Sequence, residues 1–399
     1  MAIAASEARQ NALDRVGLVA VCAVGFAFSA NYTNHAPMIA ALVSQFKFSL
    51  AAAGLLTTGI FLTHGGIQVP GGYIVDKIGP KRVLPIALAI VCLGNIALGL
   101  SNSYGQLLFW KIFVGLGTGA SFVSGARYVA HAFAGPNLHL AQGYYGGSIL
   151  AGSGFVIYAI PLLSSALGWR NSFFSTAAVA VAAAATWLVI NPDIPRFAHR
   201  PSSISSLLGD TQLWLLGLVQ MASFGLVIVI GVWITTYLTR SFHLTAIRAG
   251  RIGSLVLVAG VATRPLGGVL AHRWGTRRTI QVGLILSVAA CLCFGFGAGS
   301  LARAGVGVAL LGIGAGLPYA PAFNRAAALY PARAAAAMGF VNMLGIVMIL
   351  GIPPLIGQLV DWTGSFQASF LTLGAFTLLV LFTTFGINRH DPTGPGERP

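Results

Sequence analysis

Arg264 sits inside an apolar stretch, nine residues ahead of Arg273, where the next basic loop begins. Read as a helix, nine residues cover about 13 Å, close to the centre of a bilayer core roughly 30 Å thick. A cation at that depth costs at least roughly 2.5–3.5 kcal/mol unless something compensates it. A bound anion would do so, because guanidinium presents a planar fork of donors to carboxylate or oxyanion oxygens. The structural alternative is an arginine held by water or by carbonyls exposed beside Pro265.

Other polar side chains stand in apolar runs and extend the candidate set. Gln68 lies 196 residues before Arg264, at similar depth, eight residues before Asp76, and can both donate and accept. His64 is one turn away on the same helix face, either as a proton-sensitive donor or as a packing residue. Asn31 and Tyr32, with Asn34 and His35, suggest a water-lined face in the first run. Lys111 begins the fourth run near its outer end, from where its stem can snorkel to the interface. Gln220, Tyr319 and Asn342 are lone polar residues, each readable as ligand or as glue between helices. Pro318 and Pro321 flank Tyr319 and are expected to break its helix. The four cysteines all lie in apolar runs and imply neither a disulfide nor a metal site. No HExxH, Walker-type loop or nucleophile motif is present, so nothing supports an enzyme or a cofactor.

What must position these residues is set by composition. Of 399 residues, 56% are hydrophobic and 8% charged, far from the roughly 25% charged residues of soluble domains. The expectation is an all-α polytopic membrane protein. Twelve spans are predicted: 16–38, 50–75, 82–101, 106–130, 141–167 and 172–191, then 211–238, 250–271, 279–299, 303–328, 335–360 and 366–388. Residues 1–191 and 211–388 make two six-helix halves, 192–210 a Pro- and Ser-rich cytoplasmic linker, and 389–399 a cytoplasmic tail. The net charge of +15 comes with no basic–aromatic block, so nucleic acid is not the expected partner. With an even span count, fifteen Lys and Arg fall on the side of the termini and six on the other. That bias predicts cytoplasmic ends and the inner membrane.

The halves echo each other. Gly71–Arg82 reads GGYIVDKIGPKR and Gly267–Arg278 reads GGVLAHRWGTRR, 196 residues apart, with six of twelve positions equivalent. Gly115, Gly117 and Gly119 recur as Gly312, Gly314 and Gly316. Duplicated halves around a midplane site are a transporter architecture.

The loop Gly72-x-x-x-Asp76-Lys77-x-Gly79-x-Lys81-Arg82 resembles the signature between helices 2 and 3 of the major facilitator superfamily, and its degenerate copy falls between helices 8 and 9. Lys111 with the Gly115 series resembles the family's helix-4 motif, with Lys where Arg is usual. Gly168-Trp169-Arg170 and Gly357-x-x-x-Asp361-x-x-Gly364 are further family-like features. The resemblance implies alternating access, and a role for Gly72, Asp76, Lys77, Gly79, Lys81 and Arg82 in latching one state. His272 replaces the Asp in the second copy.

Thr263–Gly268 (TRPLGG) resembles the arginine-bearing helix 8 of nitrate/nitrite porters. Oxalate/formate, monocarboxylate and cyanate-permease carriers are similar. Two departures stand out: Gln68 replaces the second arginine of nitrate porters, and helix 11 lacks the lysine of oxalate carriers. No Asp or Glu lies in the interior of a span, whereas sugar symporters and many drug antiporters carry one. The reading is a carrier of a small, monovalent anion, with protons or a counter-substrate as co-partner, working as a monomer in the bilayer. The alternative is an exporter of neutral or cationic metabolites or drugs.

Overall fold

A computed structural model describes residues 2–133, 135–190, 205–297, 299–330 and 334–388. These contain eleven helices long and apolar enough to cross a membrane, and a shorter apolar helix at Leu50–Gly66. No strand occurs among the described residues. Lipid offers the backbone no partners, so each segment must satisfy its own N–H and C=O groups, which a helix does.

The chain divides into two compact units, Met1–Phe48 with Leu55–His199, and Ser49–Gly54 with Arg200–Pro399. In chain order the first carries α1 (Ala2–Thr33), a 3-10 turn at Ala36–Met38, α2 (Ile39–Phe46), most of α3 (Leu50–Gly66), α4 (Gln68–Ile78), α5 (Pro80–Gly99), α6 (Tyr104–Ala132), α7 (Gly135–Leu167) and α8 (Trp169–Ile190). The second carries α9 (Ser205–Leu208), α10 (Thr211–Gln220), a π-helical turn at Met221–Gly225, α11 (Leu226–Phe242), α12 (Ala246–Trp274), α13 (Thr276–Gly295), α14 (Leu301–Gly314), α15 (Tyr319–Leu329), α16 (Ala334–Thr363) and α17 (Gln367–Thr383).

Four of the expected spans are interrupted. The first leaves the α-helix after Thr33, passes through the 3-10 turn at Ala36–Met38 and resumes as α2. The second breaks at Ile67, between α3 and α4, although Ile67 N–H still donates to Thr63 O and Gly71 N–H to Ile67 O. Pro70 has no N–H for the Gly66 carbonyl, which loosens the ladder there. The tenth parts at 315–318, where Pro318 precedes the first turn of α15, as its prolines led us to expect. The seventh contains the π-turn, which no sequence signal announced. Most of the expected linker, 192–204, and the tail 389–399 lie outside the described residues.

The internal repeat is a packing rule. Cβ atoms added at Gly115 and Gly119 would run into the Ile60 and His64 carbonyls of α3, and one at Gly117 into Ala87 O of α5. In the second unit, Gly312 and Gly316 face Leu255 and Thr263 of α12, and Gly314 faces Gly283 and Ser287 of α13. Alternate glycines thus let one helix touch two neighbours at backbone distance. The threonines follow suit: Thr63 Oγ1 donates to Ile112 O, and Thr263 Oγ1 to Gly312 O at 3.1 Å. The loop repeat has the same logic. Gly79 (φ 82°) and Gly275 (φ 86°) each end one helix and begin the next in a conformation that suits glycine.

Candidate functional site

In the first unit the polar residues form two clusters. Lys111, on α6, is fully buried. Its Nζ donates to Asn34 Oδ1 at 2.6 Å and to Asn31 O at 3.3 Å, and lies 5.7 Å from the centre of the Phe173 ring. The Asn34 amide donates to Asn95 Oδ1 and Thr176 Oγ1, both at 2.8 Å. Asn31 donates to Ala27 O at 2.7 Å and Thr176 O at 3.1 Å. One ammonium therefore organises side chains from α1, α5, α6 and α8. Lys111 does not snorkel, because protein oxygens reach it more directly than the interface would. His35 Nε2 pairs with Thr57 Oγ1 at 2.9 Å.

The second cluster surrounds His64 on α3. Its Nδ1 meets Thr118 Oγ1 at 3.0 Å. Its ring sits among Phe61 (5.4 Å), Tyr32 (5.8 Å), Phe122 (5.9 Å) and Phe28 (6.3 Å). Four aromatic neighbours make the His64 surroundings largely apolar, and Thr118 supplies its hydrogen-bonding hydroxyl. Gln68, at the first position of α4, keeps a buried Nε2 with no hydrogen-bond partner.

The second unit holds Arg264 on α12, 2% exposed. Its guanidinium carbon lies 3.8 Å from the centre of the Tyr319 ring and 5.9 Å from that of Phe224. Stacking engages the face of a guanidinium, whose N–H groups all lie in its plane. Pro265 leaves the Val261 carbonyl without its helical donor, and Thr263 Oγ1 bonds to Ala259 O and Gly312 O at 3.1 Å each. Tyr319 takes its place because α14 stops at Gly314 and the chain restarts as α15. Phe224 belongs to the π-turn, whose Ser223 Oγ donates to Ala315 O at 2.7 Å. Two irregular segments thus supply the two rings beside Arg264.

Gln220 is fully buried next to that turn, and neither its Oε1 nor its Nε2 has a hydrogen-bond partner. Asn342, on α16, is 7% exposed. Phe224, Asn95 and Thr176 escaped the sequence reading. An aromatic in an apolar run gives no signal, and only the fold shows which asparagine meets which lysine.

Of the loop residues, Gly72 is buried, Lys77 and Arg82 are exposed, and Lys81 O accepts from Trp187 Nε1 at 3.3 Å. The Asp76 side chain lies outside the described residues. A carboxylate cap on a helix start is seen at Asp361, inside the second unit. Its two carboxylate oxygens accept from Leu50 N–H (3.2 Å) and Ala51 N–H (3.0 Å), the first turn of α3. Gly357 lies on Leu50 O, and Gly54 on the Pro353 carbonyl, so the backbones touch. Negative charge is favourable at that helix end.

Comparison with known proteins decides the family. The profile described as Major Facilitator Superfamily matches residues 21–345, with a second match over 213–399. The chain belongs to the major facilitator superfamily. A solved structure titled as a bacterial homolog of the human lysosomal transporter Spinster, inward-facing and occupied, superposes with a TM-score of 0.76. It shares 16% identity and covers 94% of this chain and 98% of that one, which establishes likeness of fold. Curated relatives include "Probable nitrate transporter NarT" of Staphylococcus epidermidis, 24% identical over 82% of this chain and 84% of the relative. The protein of that name from Staphylococcus haemolyticus is 25% identical over 79% and 82%. This superfamily member is a multi-pass membrane protein and a secondary transporter.

Proposed function

We propose that this superfamily member carries a small monovalent anion across the cytoplasmic membrane by alternating access, with Arg264 as the anion ligand and both termini cytoplasmic. The observation that carries the reading is the Arg264 guanidinium, 2% exposed and clamped at 3.8 Å on Tyr319, on a helix expected to cross the bilayer core. A ring on the guanidinium face fixes the plane in which its donors approach an oxyanion. The spans contain cations and, in their interiors, no carboxylate, so a charged cargo is favoured when it is negative. The relatives named as nitrate transporters bring nitrate into the panel of anions to try. His64, Gln68 and Tyr32 in the first unit, and Gln220 and Asn342 in the second, are the polar groups proposed to meet cargo. We read Asn31 and Lys111 as packing residues from the hydrogen bonds their side chains donate within the first unit, while Asn31 Oδ1 has no partner.

The test is counterflow in proteoliposomes against a panel of nitrate, formate, cyanate and small monocarboxylates. Loss of anion counterflow in Arg264→Gln, with unchanged thermal unfolding, supports the assignment. Equal transport by wild type and variant removes Arg264 from the site. Uptake of a hydrophobic cation with no response to any anion would favour the exporter reading.

A further inference from the structure

Gln220 is unusual among the buried polar groups of the second unit. It is fully buried, yet both amide atoms, Oε1 and Nε2, lack a hydrogen-bond partner. Such groups are rare in native interiors, and each calls for a reason. The stem and the ring of Phe224 pack on one glycine: a Cβ at Gly345 of α16 would lie 3.0 Å from Gln220 Cγ and 3.3 Å from Phe224 Cδ1. Phe224 is in turn the second ring beside Arg264. Within one unit, Phe224 thus shares Gly345 as a neighbour with Gln220 and borders Arg264. The π-turn Met221–Gly225 starts directly after Gln220. A π-turn holds one residue more than the α-helical ladder accommodates, so its movement along a helix re-aims the side chains beside it.

We propose that Gln220 reads a hydroxyl on the cargo, and that the cargo is a small monocarboxylate with a hydroxyl beside its carboxylate. This rests on the anion reading of Arg264, which would take the carboxylate end. The argument turns on Oε1. Nε2 can donate to any oxyanion, but Oε1 is an acceptor, and nitrate or an unsubstituted carboxylate offers it only lone pairs. A cargo O–H satisfies it while accepting from Nε2. Sites built to bond a substrate hydroxyl reject the analogue that lacks it, because their own buried groups then stay unpaired. Entry of cargo requires the buried Gln220 to turn toward it, and the adjoining π-turn is the joint for that motion.

The experiment compares lactate, propionate and nitrate counterflow by the full-length protein in proteoliposomes, for wild type, Gln220→Leu and Arg264→Gln. Wild type should favour lactate over propionate by more than about tenfold in kcat/KM. Gln220→Leu should bring that ratio near one, with propionate still carried and thermal unfolding at or above the wild-type temperature. If the leucine variant does not fold, Gln220→Met serves the same comparison. An equal ratio in wild type and variant overturns the proposal, as does a wild type that moves nitrate or propionate as well as lactate. It also falls if lactate is not carried at all. In those cases loss of all transport in Arg264→Gln leaves the anion reading standing, whereas transport retained by Arg264→Gln removes that reading too.

Discussion

Lys111 in the first unit and Arg264 in the second are buried cations whose neighbours differ. Lys111 is met by oxygen: the Asn34 side chain at 2.6 Å and the Asn31 carbonyl at 3.3 Å, in a network that reaches Asn95 and Thr176. Arg264 is met by rings, Tyr319 at 3.8 Å and Phe224 at 5.9 Å. An ammonium is a compact point charge with three donors, and two oxygens of the fold meet it here. Aromatic faces orient a guanidinium and leave its in-plane donors to other partners. Burial of a positive charge alone therefore does not mark a site. What surrounds the charge separates a structural pin from a ligand.

The contrast can be broken most directly at Asn34. Asn34→Leu strands the Lys111 ammonium and is expected to cost roughly 3 kcal/mol of stability, read as a lower unfolding temperature in detergent. Adding Lys111→Met should recover much of that loss, because an apolar pair replaces a half-satisfied one. If the single variant unfolds like wild type, Lys111 is not a pin. Arg264→Gln should behave the other way round. Counterflow is expected to fall at least about a hundredfold, equivalent to about 2.7 kcal/mol, while the unfolding temperature stays near wild type. A large drop in stability with intact transport would place Arg264 with Lys111. Tyr319→Leu sharpens the role of the ring. Removal of one cation–π partner is worth about 0.5–2 kcal/mol, so KM should rise a few-fold to about thirtyfold with the protein still folded. An unchanged KM would mean that the ring does not orient the guanidinium. The smallest expected effect is at Asp361. Asp361→Ala removes a two-oxygen cap from Leu50 and Ala51 and should cost about 1 kcal/mol. Hydrogen exchange at the first turn of α3 should then speed up, and no change there would assign Asp361 to plain surface charge.

Much of the architecture is readable without coordinates because lipid imposes it. Spans follow from apolar length, and the GGYIVDKIGPKR and GGVLAHRWGTRR copies from simple comparison. The tenth span's break was legible from Pro318 and Pro321. The seventh span's π-turn was not, since one extra residue in a helical ladder leaves no compositional trace. Asp361 shows the same limit. A carboxylate at a helix end was visible in its Gly-x-x-x-Asp spacing, but nothing local says that it caps Leu50, more than three hundred residues earlier.

Residue type and depth alone were enough to place a guanidinium within an apolar span, because charge and hydrophobic length are local properties that survive any arrangement of helices. Whether a buried cation is neutralised by its own protein was decided by tertiary structure. Hydrogen bonds reach about 3 Å, and helices far apart in the chain supply the partners. Lys111 and Arg264 look alike as letters, and only packing put the Asn34 and Asn31 oxygens on one and the Tyr319 ring on the other.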